Sequence, residues 1–189
     1  MKRLLILMSA LALFGAFAFG STIVRADDQG ENDNAQCQSN SQGESESGDD
    51  NGGDRVAVTA DDRNGTEGDD NEQGSSDDDT IAGRAGDDEI EGEQGDDDLC
   101  GDAGDDDMHG GAGNDVMNGG RGDDDMDGEG GNDLMIGGKG HDVMRGGRGR
   151  DRIRARDGVR DRINCGAGVD TVRADRADSV ARNCEHVSR

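Results

Sequence analysis

Residues 110–145 read GGAGNDVMN, GGRGDDDMD, GEGGNDLMI and GGKGHDVMR, four units of nine residues in one register. Position 1 and position 4 are Gly in each, position 6 is Asp and position 8 is Met. Followed outward, the period holds for eight consecutive units, from Gly83 to Arg154. Position 6 is then Asp88, Asp97, Asp106, Asp115, Asp124, Asp133, Asp142 and Asp151, and position 8 is Ile90, Leu99, Met108, Met117, Met126, Met135, Met144 and Ile153. A fixed short period of this kind marks a repeat architecture, in which one supersecondary unit is stacked on itself because it cannot bury its apolar side chain alone.

Composition points the same way. The 189 residues include 34 Gly, 45 Asp plus Glu, 20 Lys plus Arg, and no Pro, Trp or Tyr, with a net charge of -25. The three Phe (Phe14, Phe17, Phe19) all lie near the start, so nothing beyond them can build a large aromatic core. Such a chain is disordered unless periodicity and a counter-ion organise it. An imperfect unit precedes the eight, with Gly74, Asp79 and Ile81 in register but Asp77 at position 4. After Arg154 the pairs Asp161 with Ile163, Asp170 with Val172 and Asp178 with Val180 persist while the spacing drifts.

Four segments follow. Lys2 and Arg3 before the uncharged run Leu4–Gly20, with Ala26 preceding Asp27, give residues 1–26 the form of a secretory signal peptide, and the run is too short to span a membrane. Residues 27–73, poor in apolar side chains, are expected to be a disordered acidic linker. Residues 74–154 hold the repeats, and 155–189 a degenerate tail rich in Arg and Asp. Export implies an oxidising destination, where Cys37, Cys100, Cys165 and Cys184 can form disulfides. Cys165 with Cys184 is the favoured pair because both belong to the tail; the pairing of Cys37 and Cys100 stays open.

Gly at positions 1 and 4 lets the backbone turn and exposes its carbonyls, and position 6 adds a carboxylate to them. Hard oxygen donors, with no close thiolate or imidazole pair for zinc, select Ca2+ over the more strictly octahedral Mg2+. Position 8 contributes one inward side chain per unit, for which the unbranched thioether of Met is well suited.

Units such as Gly110–Asn118 and Gly137–Arg145 resemble the RTX, or hemolysin-type, calcium-binding nonapeptide. The resemblance implies an all-β fold, a parallel β-roll with two nonapeptides per turn. It also implies that Ca2+ sits between same-side loops two units apart. The ligands would be the eight position-6 Asp, Asp79 in addition, and main-chain carbonyls around Gly101, Gly104, Gly110, Gly113, Gly119, Gly122, Gly128, Gly131, Gly137 and Gly140. Eight units provide six such loop pairs, hence about six Ca2+. At position 2 the family has Gly, whereas this chain has Arg84, Glu93, Asp102 and Glu129 in four units.

No nucleophile and base can be assembled into a catalytic constellation, so a non-enzymatic, secreted, calcium-binding protein is the expected function. An EF-hand beginning at Asp123 fails at its twelfth position, Leu134, and lacks flanking helices. From Arg145 onward there are twelve Arg against seven acids. These Arg are expected to cap the solenoid by pairing with position-6 carboxylates in place of Ca2+. No Phe, Trp or Tyr lies among these Arg to stack on nucleic-acid bases. Two other readings are an extracellular adhesion or matrix component that uses the roll as a spacer, and a polyanion-binding module carried by the Arg-rich tail.

Overall fold

Glycines on either side of positions 7 to 9 limit each extended stretch to a few residues, and within it only position 8 points inward. The computed structural model describes residues 63–189 and contains only strands and turns there. The signal peptide, the greater part of the acidic linker, and Cys37 lie outside the described residues.

Two parallel sheets face each other. One has eight strands in the order β1 (Arg63–Asn64), β3 (Thr80–Ala85), β5 (Asp98–Ala103), β7 (Val116–Arg121), β9 (Leu134–Lys139), β12 (Arg152–Ala155), β15 (Thr171–Ala174) and β17 (His186–Ser188). The other has seven, β2 (Asn71–Gln73), β4 (Glu89–Glu91), β6 (Asp107–His109), β8 (Asp125–Asp127), β10 (Val143–Arg145), β13 (Arg162–Asn164) and β16 (Ser179–Val180). A short third ladder joins β11 (Arg148–Gly149) to β14 (Ala167–Gly168) along one edge.

Consecutive strands alternate between the sheets, so the chain winds as a parallel β-roll whose turn is two nonapeptides. The register shows it: Ile81 lies beside Leu99, Leu99 beside Met117, Met117 beside Met135 and Met135 beside Ile153. Opposite them run Ile90, Met108, Met126, Met144 and Ile163. Ile81 through Met144 are fully buried in this two-column core, and Ile153 and Ile163 nearly so. The interior is therefore about one side chain wide, and the flexible Met fills it without the branching a broader core would need.

One expectation changes here. The roll starts upstream of Gly74, within the stretch expected as linker: Arg63 pairs with Ile81 and Glu72 with Ile90. The unit Gly65–Gln73 has Gly65, Gly68 and Asp70 in register, but Glu72 stands at position 8, which hides it from any search for an inward aliphatic residue. Glu72 takes the place of an inward aliphatic residue in its column and is half-buried there. In the tail the turns lengthen to 19 residues and then shorten, yet Ile153, Val172 and Val187 still stack in one column. Cys165 and Cys184 are joined by a disulfide across the last turns.

Candidate metal centre

Every position-6 Asp is buried, from Asp79 through Asp178, although a carboxylate is among the most costly groups to remove from water. Part of that cost is met by the main chain. The N–H of Asp97 donates to Oδ1 of Asp115 at 2.9 Å, that of Asp115 to Asp133 at 3.0 Å, and that of Asp133 to Asp151 at 3.0 Å. On the other edge the N–H of Asp88 donates to Asp106, Asp106 to Asp124, and Asp124 to Asp142, at 3.0–3.1 Å. Two ladders of carboxylates thus run along the two edges of the roll, one carboxylate per turn in each.

The second oxygen is different. Oδ2 of Asp88, Asp97, Asp106, Asp115, Asp124, Asp133, Asp142, Asp151 and Asp170 is buried with no hydrogen-bond partner among the described residues. Each Oδ2 of the eight strict units lies against the position-1 Gly of its own unit, where a Cβ would come within 2.1–2.6 Å of it. The position-1 carbonyl of the next turn converges on the same place: a Cβ on Gly101 would meet Asp106 Oδ2 at 2.1 Å and the Gly119 oxygen at 2.7 Å. Gly92, Gly110, Gly119 and Gly128 show the same pair of oxygens, supplied by Gly110, Gly128, Gly137 and Gly146 in turn. The carbonyls of Gly104, Gly113, Gly122 and Gly131 stack against the position-4 Gly of the following turn, where a side chain would collide with them.

Burial raises the affinity of these carboxylates for protons above the ordinary carboxylate range. Asp124 is pushed up to about 8, Asp97, Asp133 and Asp161 to about 7, and Asp106, Asp115, Asp142 and Asp151 to about 6. In each case desolvation is the main cause, opposed by the N–H of the Asp one turn upstream, with neighbouring carboxylates adding repulsion in most. Among the described residues no three side-chain donors of the His, Cys, Asp or Glu type gather in one cage. A cation held here must therefore draw on main-chain oxygens as well as carboxylates, which fits a hard ion with many oxygen ligands.

The ladder's ends are built otherwise. Asp79 Oδ2 accepts the N–H of Ser75 at 2.6 Å, Asp70 Oδ2 accepts that of Thr66 at 2.6 Å, and Asp178 Oδ2 accepts that of Asp175. At these ends the loop's own N–H occupies Oδ2, and in Asp79 it is Oδ1 that is buried without a hydrogen-bond partner among the described residues, so Asp79 is oriented differently from the eight that follow. Asp161, Asp170 and Asp178 continue the ladders into the tail, and Glu185 takes the next place by accepting the Asp170 N–H at 2.9 Å. The expected exchange of Ca2+ for Arg is absent at two of these positions: Oδ2 of Asp151 and Asp170 has no hydrogen-bond partner, and Arg150, Arg152, Arg156, Arg160 and Arg162 are exposed. Arg152 and Arg162 lie on β12 and β13 beside the inward Asp151, Ile153, Asp161 and Ile163, so period-2 alternation turns them outward. His109 and His141 lie apart, His109 near Asp107 and Glu129, and His141 on the carbonyl of Arg160.

Position 5 carries a ladder that the sequence did not reveal. The N–H groups of Asp87, Asp105, Asp123 and His141 donate to Oδ1 of Asp69, Asp87, Asp105 and Asp123 respectively, at 2.7–3.0 Å. Asn114 and Asn132 do the same on the other edge, and Asn side chains serve as well as Asp there because one neutral oxygen suffices.

A family model described as RTX calcium-binding nonapeptide repeat (4 copies) matches residues 64–99, 73–108, 101–135, 128–161 and 136–172, a run from 64 to 172. Neither a curated protein nor a solved structure matches the chain significantly.

Proposed function

The chain belongs to the RTX calcium-binding nonapeptide repeat family, and from that premise we propose that it is a secreted, non-enzymatic protein whose repeats fold around Ca2+ outside the cytoplasm. The observation that carries the reading is the row of buried Oδ2 atoms with no hydrogen-bond partner among the described residues. The carboxylates of Asp88, Asp97, Asp106, Asp115, Asp124, Asp133, Asp142 and Asp151 would hold the ions, with position-1 and position-4 carbonyls between Gly101 and Gly140 supplying further oxygens. Asp170 joins this set by the same criterion. Bound Ca2+ supplies positive charge to oxygens that otherwise repel one another. The chain contributes a narrow core and two rows of preset acceptors.

About six ions are expected, each spanning two same-side loops and drawing on ~6 to 8 oxygens. Repeats 83–154 carry 21 acids against eight basic residues, so six divalent ions nearly neutralise them. Folding must then be coupled to uptake, with affinity in the ~10⁻⁴ to 10⁻³ M range of extracellular modules. Export is supported by the basic start, the apolar run Leu4–Gly20 and the small residue Ala26.

The test is far-UV circular dichroism of the protein at neutral pH, titrated with Ca2+ and separately with Mg2+, with equilibrium dialysis to count ions. Strand signal that rises with Ca2+ alone, at about six ions per chain, is the expected result. Full strand signal in EDTA at pH 7.5 would overturn coupled folding, and one or two ions per chain would overturn the shared-loop arrangement.

A further inference from the structure

Side chains alternate along a strand, so the residues that follow the core positions Ile81, Leu99, Met117 and Met135 turn to the outer face of the eight-stranded sheet. These are Ala82, Cys100, Asn118 and Ile136, and their register places them in one column. An open sheet face should leave them in water. Yet Ile136 is 3% exposed, Ala82 4% and Cys100 5%. The matching column of the seven-stranded sheet, Glu91, His109, Asp127 and Arg145, is half-buried to exposed, as a bare face should be. No described element makes an extensive contact over the covered column; β3, β5, β7 and β9 chiefly meet their ladder neighbours.

Three further observations bear on the cover. Cys100 is disulfide-bonded. The chain has four Cys, two of which are joined as Cys165–Cys184, so the remaining sulfur within one chain belongs to Cys37. Asp98, Asn118 and Arg173, which face outward on the same sheet, each have a polar or ionic partner.

We infer that the acidic N-terminal segment, residues 27–62, lies along the outer face of the eight-stranded sheet, held there by a disulfide between Cys37 and Cys100. Charge agrees with the placement. The segment has eleven acids and one Arg, while below Ile136 the same face carries Arg152, Arg154 and Arg173. Its few apolar residues, among them Val56 and Val58, can meet the half-buried Val116 and Leu134 beside Ile136. Reach is ample: 25 residues separate Cys37 from Arg63 and span up to ~80 Å, whereas β1 and β5 are two strand spacings, ~10 Å, apart. The segment thereby shields the one apolar outer patch among the described residues, and reduction would release it. Nothing in this depends on the calcium reading.

The oxidised full-length protein, in saturating Ca2+, should give on tryptic digestion a disulfide-linked pair: the peptide ending at Arg55, which holds Cys37, and peptide 85–121, which holds Cys100. Joining of the Cys37 peptide to 163–173 or 183–189, or a reduction-sensitive dimer through Cys100, would overturn the pairing. Coverage is read separately from the rate at which trypsin cuts after Arg55 in the native protein. Cys37→Ser and Ile136→Asp should each accelerate that cut, and Val143→Asp on the open sheet should not. Equal rates in Cys37→Ser and the parent overturn coverage, and because Ser for Cys leaves the roll's own residues intact, the outcome does not hang on whether Ile136→Asp folds.

Discussion

Arg84, Glu93, Asp102 and Glu129 stand at position 2 with φ of 78, 76, 68 and 60°, the left-handed region that Gly111, Gly120, Gly138 and Gly147 occupy at 93–105° in the other strict units. The loop imposes the same turn whether or not the residue has a Cβ. For these L-residues the conformation costs about 1 kcal/mol, partly offset because Gly has more freedom to lose on folding. Glu129→Gly should therefore stabilise the calcium-loaded roll by about 0.5 kcal/mol, seen as a small rise in Tm. A second substitution separates the two oxygens of one carboxylate. Asp115→Asn keeps an oxygen to accept the Asp97 N–H but replaces the unpartnered Oδ2 by an amide NH2. It should weaken Ca2+ binding, shifting the titration midpoint upward, while Asp107→Ala, at the exposed position 7, leaves the midpoint in place. Equal shifts would mean that position 6 is not the ligating register.

Among the elements, the three-residue strands gain their stability from stacking, because isolated pieces this short do not persist. The strict units could be read from Gly83 to Arg154 since Gly, Asp and an aliphatic residue recur there without an exception. The unit at Gly65 could not, because Glu72 replaces the inward aliphatic side chain, and its membership is decided by register with Ile90 instead. Asp161 and Asp170 kept their motif but lost the spacing. Both 19-residue turns contain the same extra residue, which lies between β12 and β13: β9 and β12 still pair at a spacing of 18, whereas β10 with β13 and β12 with β15 pair at 19. The Arg of the tail misled for a related reason: composition reveals charge, whereas the face on which a guanidinium lies depends on the local strand alternation. Spacing alone also could not show that Oδ1 and Oδ2 have different environments. The disulfide clamps these irregular turns across 19 residues of sequence. Closing a loop of that size contributes about 3 kcal/mol in the chain-entropy account. Cys184→Ser should accordingly loosen β15 and β17 first, with faster hydrogen exchange there than in β5 and β7.

For the molecule as a whole, the buried carboxylates tie stability to pH. Their affinity for protons is higher in the fold than in the open chain, where it is near 3.8. Protonation hence favours the metal-free roll below about pH 4, and that contribution is lost as pH rises through about 6 for Asp106 and Asp115, 7 for Asp97 and Asp133, and 8 for Asp124. In EDTA the strand signal should be strongest in mild acid and fade toward pH 8, and added Ca2+ should restore it with release of protons into a weakly buffered solution. A metal-free signal that grows with pH would contradict the assignment of those carboxylates as buried and proton-rich.

Parallel ladders set nearly all of the main-chain hydrogen bonds along the roll's long axis, one turn of 18 residues joined to the next. A force applied to the two ends loads these bonds in series, as in a zipper, and none of them shares the load with the turns beyond. The chain should give way at low tension, one turn at a time, each paying out about 60 Å of extended backbone. The cross-linked last turns would hold, and so would the turns before Cys100 that the inferred bridge to Cys37 encloses. Such a filament acts as a mechanical fuse that lengthens in equal steps, and the ion concentration around it would set the tension at which it starts to yield.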